Sequence, residues 1–127
     1  FRRVLFRSRR SGFPIMPLGP IPTDAAVGMD HISSAIGATI MGLEGCSHIL
    51  AAVTREEHTG GRPTIESTIE SIKTARIAAH IIDIHNNDDT AIDIKIAKSR
   101  AKSNSCVFGK GKNYCDRCRE LCPLLIK

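Results

Sequence analysis

Isoleucine and alanine return every third or fourth position through residues 30–43. In "DHISSAIGATIMGLEG", Ile32, Ala35, Ile36, Ile40 and Leu43 share one side of a 3.6-residue helix, Asp30 stands as its N-cap, and Gly45 stops the run. "TIESTIESIKTARIAAHIIDI" repeats the rhythm, with Ile65, Ile69, Ile72, Ala75, Ala79 and Ile82 on one face. Pro63 falls in the first-turn region that tolerates a missing N–H, and Ser67 with Glu70 has the spacing of a capping box. "NNDD" breaks the helix. Beyond it, Ile92, Ile94, Ile96 and Ala97 fit a further helix or a strand equally well.

Two shorter apolar runs have a different character. "CSHILAAVT" predicts a strand buried on both faces of a parallel sheet. "SGFPIMPLGPIPTDAAVG" predicts a strand running into a rigid loop, because Pro14, Pro17, Gly19, Pro20 and Pro22 punctuate it. Strand, loop, helix, strand, loop, helix is the order of a parallel α/β fold. Two such units are too few to close a barrel, so the stretch reads as the end of a larger fold. The expected division is a doubtful basic arm over 1–11, an α/β part over 12–100 and a cysteine-rich segment over 101–127.

Composition narrows the class. At 127 residues, with 42% hydrophobic residues and no tryptophan, the chain has the make-up of one soluble domain. No apolar run approaches the roughly 20 residues of a membrane span, and no secretory signal opens it. The formal charge of +5 is concentrated in an arginine-rich start and in the acid-free stretch 95–112. Aromatic residues able to stack on bases are scarce, so a nucleic-acid partner rests on charge alone. Residues 2–8, "RRVLFRS", read like the translation of a sequencing-library adapter, and are set aside as carrying no fold information. On that expectation the natural start is missing.

The cysteines point to a metal. "NYCDRCRELCPLLIK" places Cys115, Cys118 and Cys122 at C-x2-C-x3-C spacing, too close to staple distant parts of a fold. A structural zinc would need a fourth ligand, such as Cys106 or a histidine. An electron-carrying cubane cluster would need a fourth cysteine. Three close thiolates therefore fit either a zinc knuckle completed elsewhere or an iron–sulfur cluster with one open iron. Clustered cysteines in this pattern also fit a reducing, cytoplasmic setting.

Loops after strand ends are where such folds build sites. The first, "LGPIPTDAAVGMDH", carries Thr23, Asp24, Asp30 and His31. The second, "TREEHTGG", carries Glu56, Glu57 and His58 beside a glycine pair that permits close backbone approach. His58 suits a metal ligand or an acid–base group, or it is a solvated loop residue. Asp24 also serves as a turn-former. His48 reads as a satisfied core residue, and His80 and His85 as solvated or as favouring a helix end.

The blocks "LGPIPTDAAVGMDHISSAIGA", "GLEGC", "VTREEH" and "KTARIAAH", followed by the cysteine cluster, resemble the C-terminal portion of the phosphomethylpyrimidine synthase family of thiamine biosynthesis. The resemblance covers residues 18 to 122 in order. It implies the C-terminal strands and helices of a (β/α)8 barrel, followed by a small iron–sulfur segment. It further implies radical S-adenosylmethionine chemistry, in which 5-aminoimidazole ribotide is rearranged to hydroxymethylpyrimidine phosphate. By resemblance Cys115, Cys118 and Cys122 hold a [4Fe–4S] cluster whose open iron binds S-adenosylmethionine, and His58 holds a second metal, zinc or iron. Asp24, Asp30, His31 and Glu57 stand on the substrate- or cofactor-binding loops, and no catalytic residue is assigned. A reductant such as ferredoxin or flavodoxin and a homodimer complete the expectation, with the fragment alone inactive.

The departures are specific. Many family members have C-x2-C-x4-C spacing, a tyrosine where Met16 stands, and a loop after the histidine shorter by one residue than "TGGRP". An acidic, aromatic stretch before the cysteines is replaced by "AKSRAKSNSCVFGKGKN". A paralogue making 5-hydroxybenzimidazole, or acting on another imidazole ribotide, therefore stands beside the main reading. A zinc-knuckle nucleic-acid module and a ferredoxin-like carrier are the readings from other classes.

Overall fold

The computed structural model describes residues 10–103, 105, 106, 117 and 118. Three α-helices are fully delimited: α1 (Asp30–Leu43), α2 (Ile65–Asn87) and α3 (Ala91–Ser103). The chain divides into two compact units, residues 1–88 and 89–127. In the first, α1 packs along α2. In the second, α3 resolves the ambiguity of 91–103 in favour of a helix, and it buries none of its residues.

There is no strand among the described residues, which corrects the expected strands and helices of a (β/α)8 barrel end. The two runs expected to be strands do meet, but they form no ladder. Ile15 accepts backbone N–H groups from both His48 (2.8 Å) and Ile49 (3.3 Å). The reverse bond goes to a side chain: Ile15 N–H donates to Nδ1 of His48 at 3.0 Å. Pro14, Pro17, Pro20 and Pro22 remove donors on either side, so pairing cannot propagate. His48 is consequently exposed rather than in the core, and its ring takes the place of a ladder carbonyl.

Helix ends explain themselves locally. At the C-terminus of α1, Gly45 lies in the left-handed region (φ 66°), and its N–H reaches Gly42 O at 3.0 Å. The Cys46 N–H returns to Met41 O at 2.8 Å, completing a Schellman arrangement as the glycine predicts. The start of α1 differs from expectation. Met29, not Asp30, is the N-cap, and no side chain caps it. α2 is capped by Thr64, whose Oγ1 accepts from Ser67 N–H (3.1 Å) while Ser67 Oγ accepts from Thr64 N–H (2.9 Å). The box thus sits three residues earlier than the Ser67–Glu70 register, and Pro63 precedes the cap rather than opening the helix. At the other end, Asp88 caps in the left-handed region, and His85 in the last turn favours the negative pole of the helix.

The α1–α2 interface is made mainly of small residues, joined by Met41 and by Ile82, the one isoleucine of the two stripes that is buried. Ser34, Ala38, Met41 and Gly42 of α1, and Ser67, Ser71, Ala78 and Ile82 of α2, are buried. Ile32, Ile36, Ile40 and Leu43 keep between 37% and 53% of their surface exposed, and Ile65, Ile69 and Ile72 are also exposed. Both stripes have helical period, so hydropathy selects the isoleucines while close approach selects the small residues. Gly37 shows how close: a Cβ there would lie 1.6 Å from the carbonyl oxygen of Pro20. The first loop is thereby laid directly on α1, which positions it beside the second.

Candidate functional site

The second loop turns on itself between Thr54 and Gly60. Glu56 O accepts from the N–H groups of Thr59 and Gly60, both at 3.1 Å, and Gly60 takes a positive φ of 69°. His58 lies inside this turn and is tied to the start of α1. Its backbone N–H donates to Oδ2 of Asp30 at 3.0 Å. Its ring nitrogen Nδ1 meets Oδ1 of the same carboxylate at 2.8 Å. Asp30 is 1% exposed, whereas the His58 side chain is 44% exposed. One buried carboxylate therefore holds both the main chain and the ring of a half-exposed histidine.

The electrostatics follow from this pairing. Hydrogen bonds from the His58 ring and backbone N–H bring Asp30 below its ordinary carboxyl value, against an opposing effect of burial. The hydrogen bond to Asp30 raises His58 above its ordinary value; burial opposes this, and the charges of Asp30, Asp24 and Glu57 add to it. An acidic surround thus favours a proton, or another cation, on the imidazole.

His58 shares a cavity of about 460 Å³ with Asp24, Glu57 and Thr54, walled by Leu18, Ile21 and Val53. Gly19 (φ 48°) allows the wall to close, since a Cβ there would come within 2.9 Å of Val53 Cγ2. Of the loop residues expected to act together, Asp24, Glu57 and His58 do meet here, and Asp30 supports His58 from beneath. His31 does not join them. It is buried between α1 and α2, with Nε2 3.6 Å from Glu70 Oε1 and with Nδ1 lacking a hydrogen-bond partner. Glu70 also pairs with Arg55, so a His31–Glu70–Arg55 chain ties α1 and the second loop to α2. Sequence reasoning missed both this chain and the Asp30–His58 clamp. Arg55 and Glu70 lie 15 residues apart, Asp30 and His58 28, and His31 and Glu70 farther still, so no local spacing rule connects them.

Among the described residues, no three histidine, cysteine or acidic side chains converge to hold a metal ion. Cys118 is half-buried and Cys106 exposed. Cys115 and Cys122 lie outside the described residues, as do residues 1–9 of the basic arm. No helix among the described residues is long and apolar enough to cross a membrane.

Comparison with known proteins gives a single answer. Residues 4–124 match the model of the radical SAM ThiC family. Phosphomethylpyrimidine synthase of Syntrophus aciditrophicus is 42% identical across 80% of this chain and 24% of its own length. The same-named protein of Pyrococcus furiosus is 36% identical across 89% of this chain and 30% of its own. That of Archaeoglobus fulgidus is 48% identical across 56% of this chain and 16% of its own. The chain therefore spans less than a third of the length of these curated relatives.

Proposed function

The chain belongs to the radical SAM ThiC family, and we propose that it forms part of a phosphomethylpyrimidine synthase, rearranging 5-aminoimidazole ribotide to hydroxymethylpyrimidine phosphate in thiamine biosynthesis. The observation that carries this reading is the match over residues 4–124, joined to relatives that bear that name.

Cys115, Cys118 and Cys122 would hold a [4Fe–4S] cluster. Their three thiols leave one iron for the amino and carboxylate groups of S-adenosylmethionine. When bound, the cluster would supply the electron for the radical chemistry, with a reductant such as ferredoxin or flavodoxin as its source. His58 would give a nitrogen to a second metal, zinc or iron. Its donor chemistry fits, because Asp30 occupies Nδ1 and leaves Nε2 as the ring nitrogen available at the cavity. Further ligands would come from outside the described residues. Asp24 and Glu57 offer acceptor oxygens to ribotide hydroxyl and amino groups. Their charge repels a phosphate, which would be bound away from this wall. A homodimer in the cytoplasm is the assembly and setting this reading expects.

The test is direct. Intact, anaerobically reconstituted protein is given S-adenosylmethionine, reductant and 5-aminoimidazole ribotide, and the products are read by mass spectrometry. Both 5′-deoxyadenosine and hydroxymethylpyrimidine phosphate are expected. Appearance of 5-hydroxybenzimidazole in place of the pyrimidine would transfer the protein to the paralogous reaction. A colourless, zinc-loaded protein that cleaves no S-adenosylmethionine would overturn the radical assignment and favour the zinc-knuckle reading.

A further inference from the structure

Asp30 occupies the first turn of α1, where a carboxylate ordinarily serves the free N–H groups of the helix. It does not serve them. Met29 is the N-cap with no side-chain bond, and both Asp30 oxygens are turned across the loop to His58. Burying a carboxylate to 1% exposure is costly unless its partners compensate it. If the loop needed only an anchor for the His58 N–H, a neutral acceptor would serve and no charge need be buried. The second contact, to the ring, is what a carboxylate adds.

That contact has a chemical consequence. An acceptor at Nδ1 keeps the proton on Nδ1, so in the neutral ring the lone pair sits on Nε2. The negative charge behind the ring also increases the basicity of Nε2, as carboxylates behind metal-bound histidines do. Because the same carboxylate holds the backbone N–H, the ring and its main chain are oriented as one body. Asp24 and Glu57 line the same cavity as His58, and it is Asp30 that pairs with Nδ1.

We infer that Asp30 is a positioning residue for the metal-binding histidine: it fixes His58 in the Nδ1–H tautomer and presents Nε2, alone, to a divalent cation at the cavity wall. This rests on the reading of His58 as a metal ligand. Asp30 is not among the residues lining the cavity, and its role there would be exerted through His58.

The experiment uses the intact protein and Zn2+ as probe, with affinity measured by competition against a fluorescent chelator. Asp30→Asn, which retains shape but cannot accept both N–H groups through charged oxygens, lowers zinc affinity by about 10- to 100-fold, the range typical of such outer partners. Iron and sulfide content stay at the wild-type level. In wild-type protein with 15N-labelled histidine, the His58 signals, assigned by their loss in His58→Gln, show a protonated Nδ1 and a bare Nε2 at a pH where the ring is neutral. Zinc then moves the Nε2 resonance. This spectroscopic arm needs no Asp30 variant to fold. Movement of Nδ1 in place of Nε2 would overturn the inference. So would an Asp30→Asn protein that melts lower but binds zinc with unchanged affinity, since Asp30 would then only brace the loop. His58→Gln separates the two levels. Loss of zinc in His58→Gln with none in Asp30→Asn sinks the positioning role and leaves the ligand reading standing. Unchanged zinc in His58→Gln removes the ligand reading and the inference with it.

Discussion

Ile82 of α2 fills the space in which Gly42 of α1 would carry a side chain: a Cβ on Gly42 would meet Ile82 Cδ1 at 2.2 Å. The contact sets how closely the two helices approach, and thereby where the loops that start and follow α1 are held. Gly42→Ala gains about 1 kcal/mol of helix propensity. It also forces a core shift of the overpacking kind, which costs about 1–3 kcal/mol. The net expectation is a lower urea midpoint. Gly45→Ala makes the comparison informative: it has open space around it but a φ of 66°, so its cost comes from backbone strain of about 1–2 kcal/mol. Combining Gly42→Ala with Ile82→Val should recover part of the first loss and none of the second. A Gly42→Ala protein as stable as wild type would show that the helices separate freely.

The Asp30–His58 pair gives a pH signature in metal-free protein. Asp30 is held below its ordinary 3.8, so its contribution is present above that value and fades as pH falls through the lower folded value. His58 is held above its ordinary 6.5, so its contribution is complete below 6.5 and is lost as pH rises through the higher folded value. The stability difference between wild type and Asp30→Asn should therefore be largest between pH 3.8 and 6.5 and shrink on both sides. Melting curves recorded across that range check it, and a difference that grows steadily toward alkaline pH would contradict the pairing.

The cap of α2 offers a local test. Thr64→Ala removes the oxygen that accepts Ser67 N–H and should cost about 1 kcal/mol, whereas Thr64→Ser should cost a few tenths at most. Glu70→Gln, at the position that the sequence alone favours for the cap, should leave helix content by circular dichroism unchanged.

Cluster assembly should divide the cysteines cleanly. In anaerobically reconstituted intact protein, Cys115→Ala, Cys118→Ala and Cys122→Ala are each expected to abolish retention of iron and sulfide, and Cys106→Ala to leave both unchanged. Iron lost completely from the Cys106 variant would indicate an all-protein ligand set and remove the open position.

The sequence alone determined whatever depends on neighbours a few positions away. Gly45 ended α1, helical periodicity located α1 and α2, and the family blocks from "LGPIPTDAAVG" to "VTREEH" identified the two loops that carry Asp24, Glu57 and His58. Periodicity could not say which stripe packs, because the isoleucines and the small residues share one period. The close approach of the helices, set by Gly42 against Ile82, decided for the small ones together with Ile82. Alternating apolar runs likewise could not establish strands, because a ladder needs donors on both partners, and four prolines and the His48 ring removed them. Tertiary structure alone also turned Asp30 from a helix cap into the partner of a histidine 28 residues away. A buried carboxylate goes to the donors that best compensate its lost hydration, and only the folded loops bring those donors within 3.0 Å.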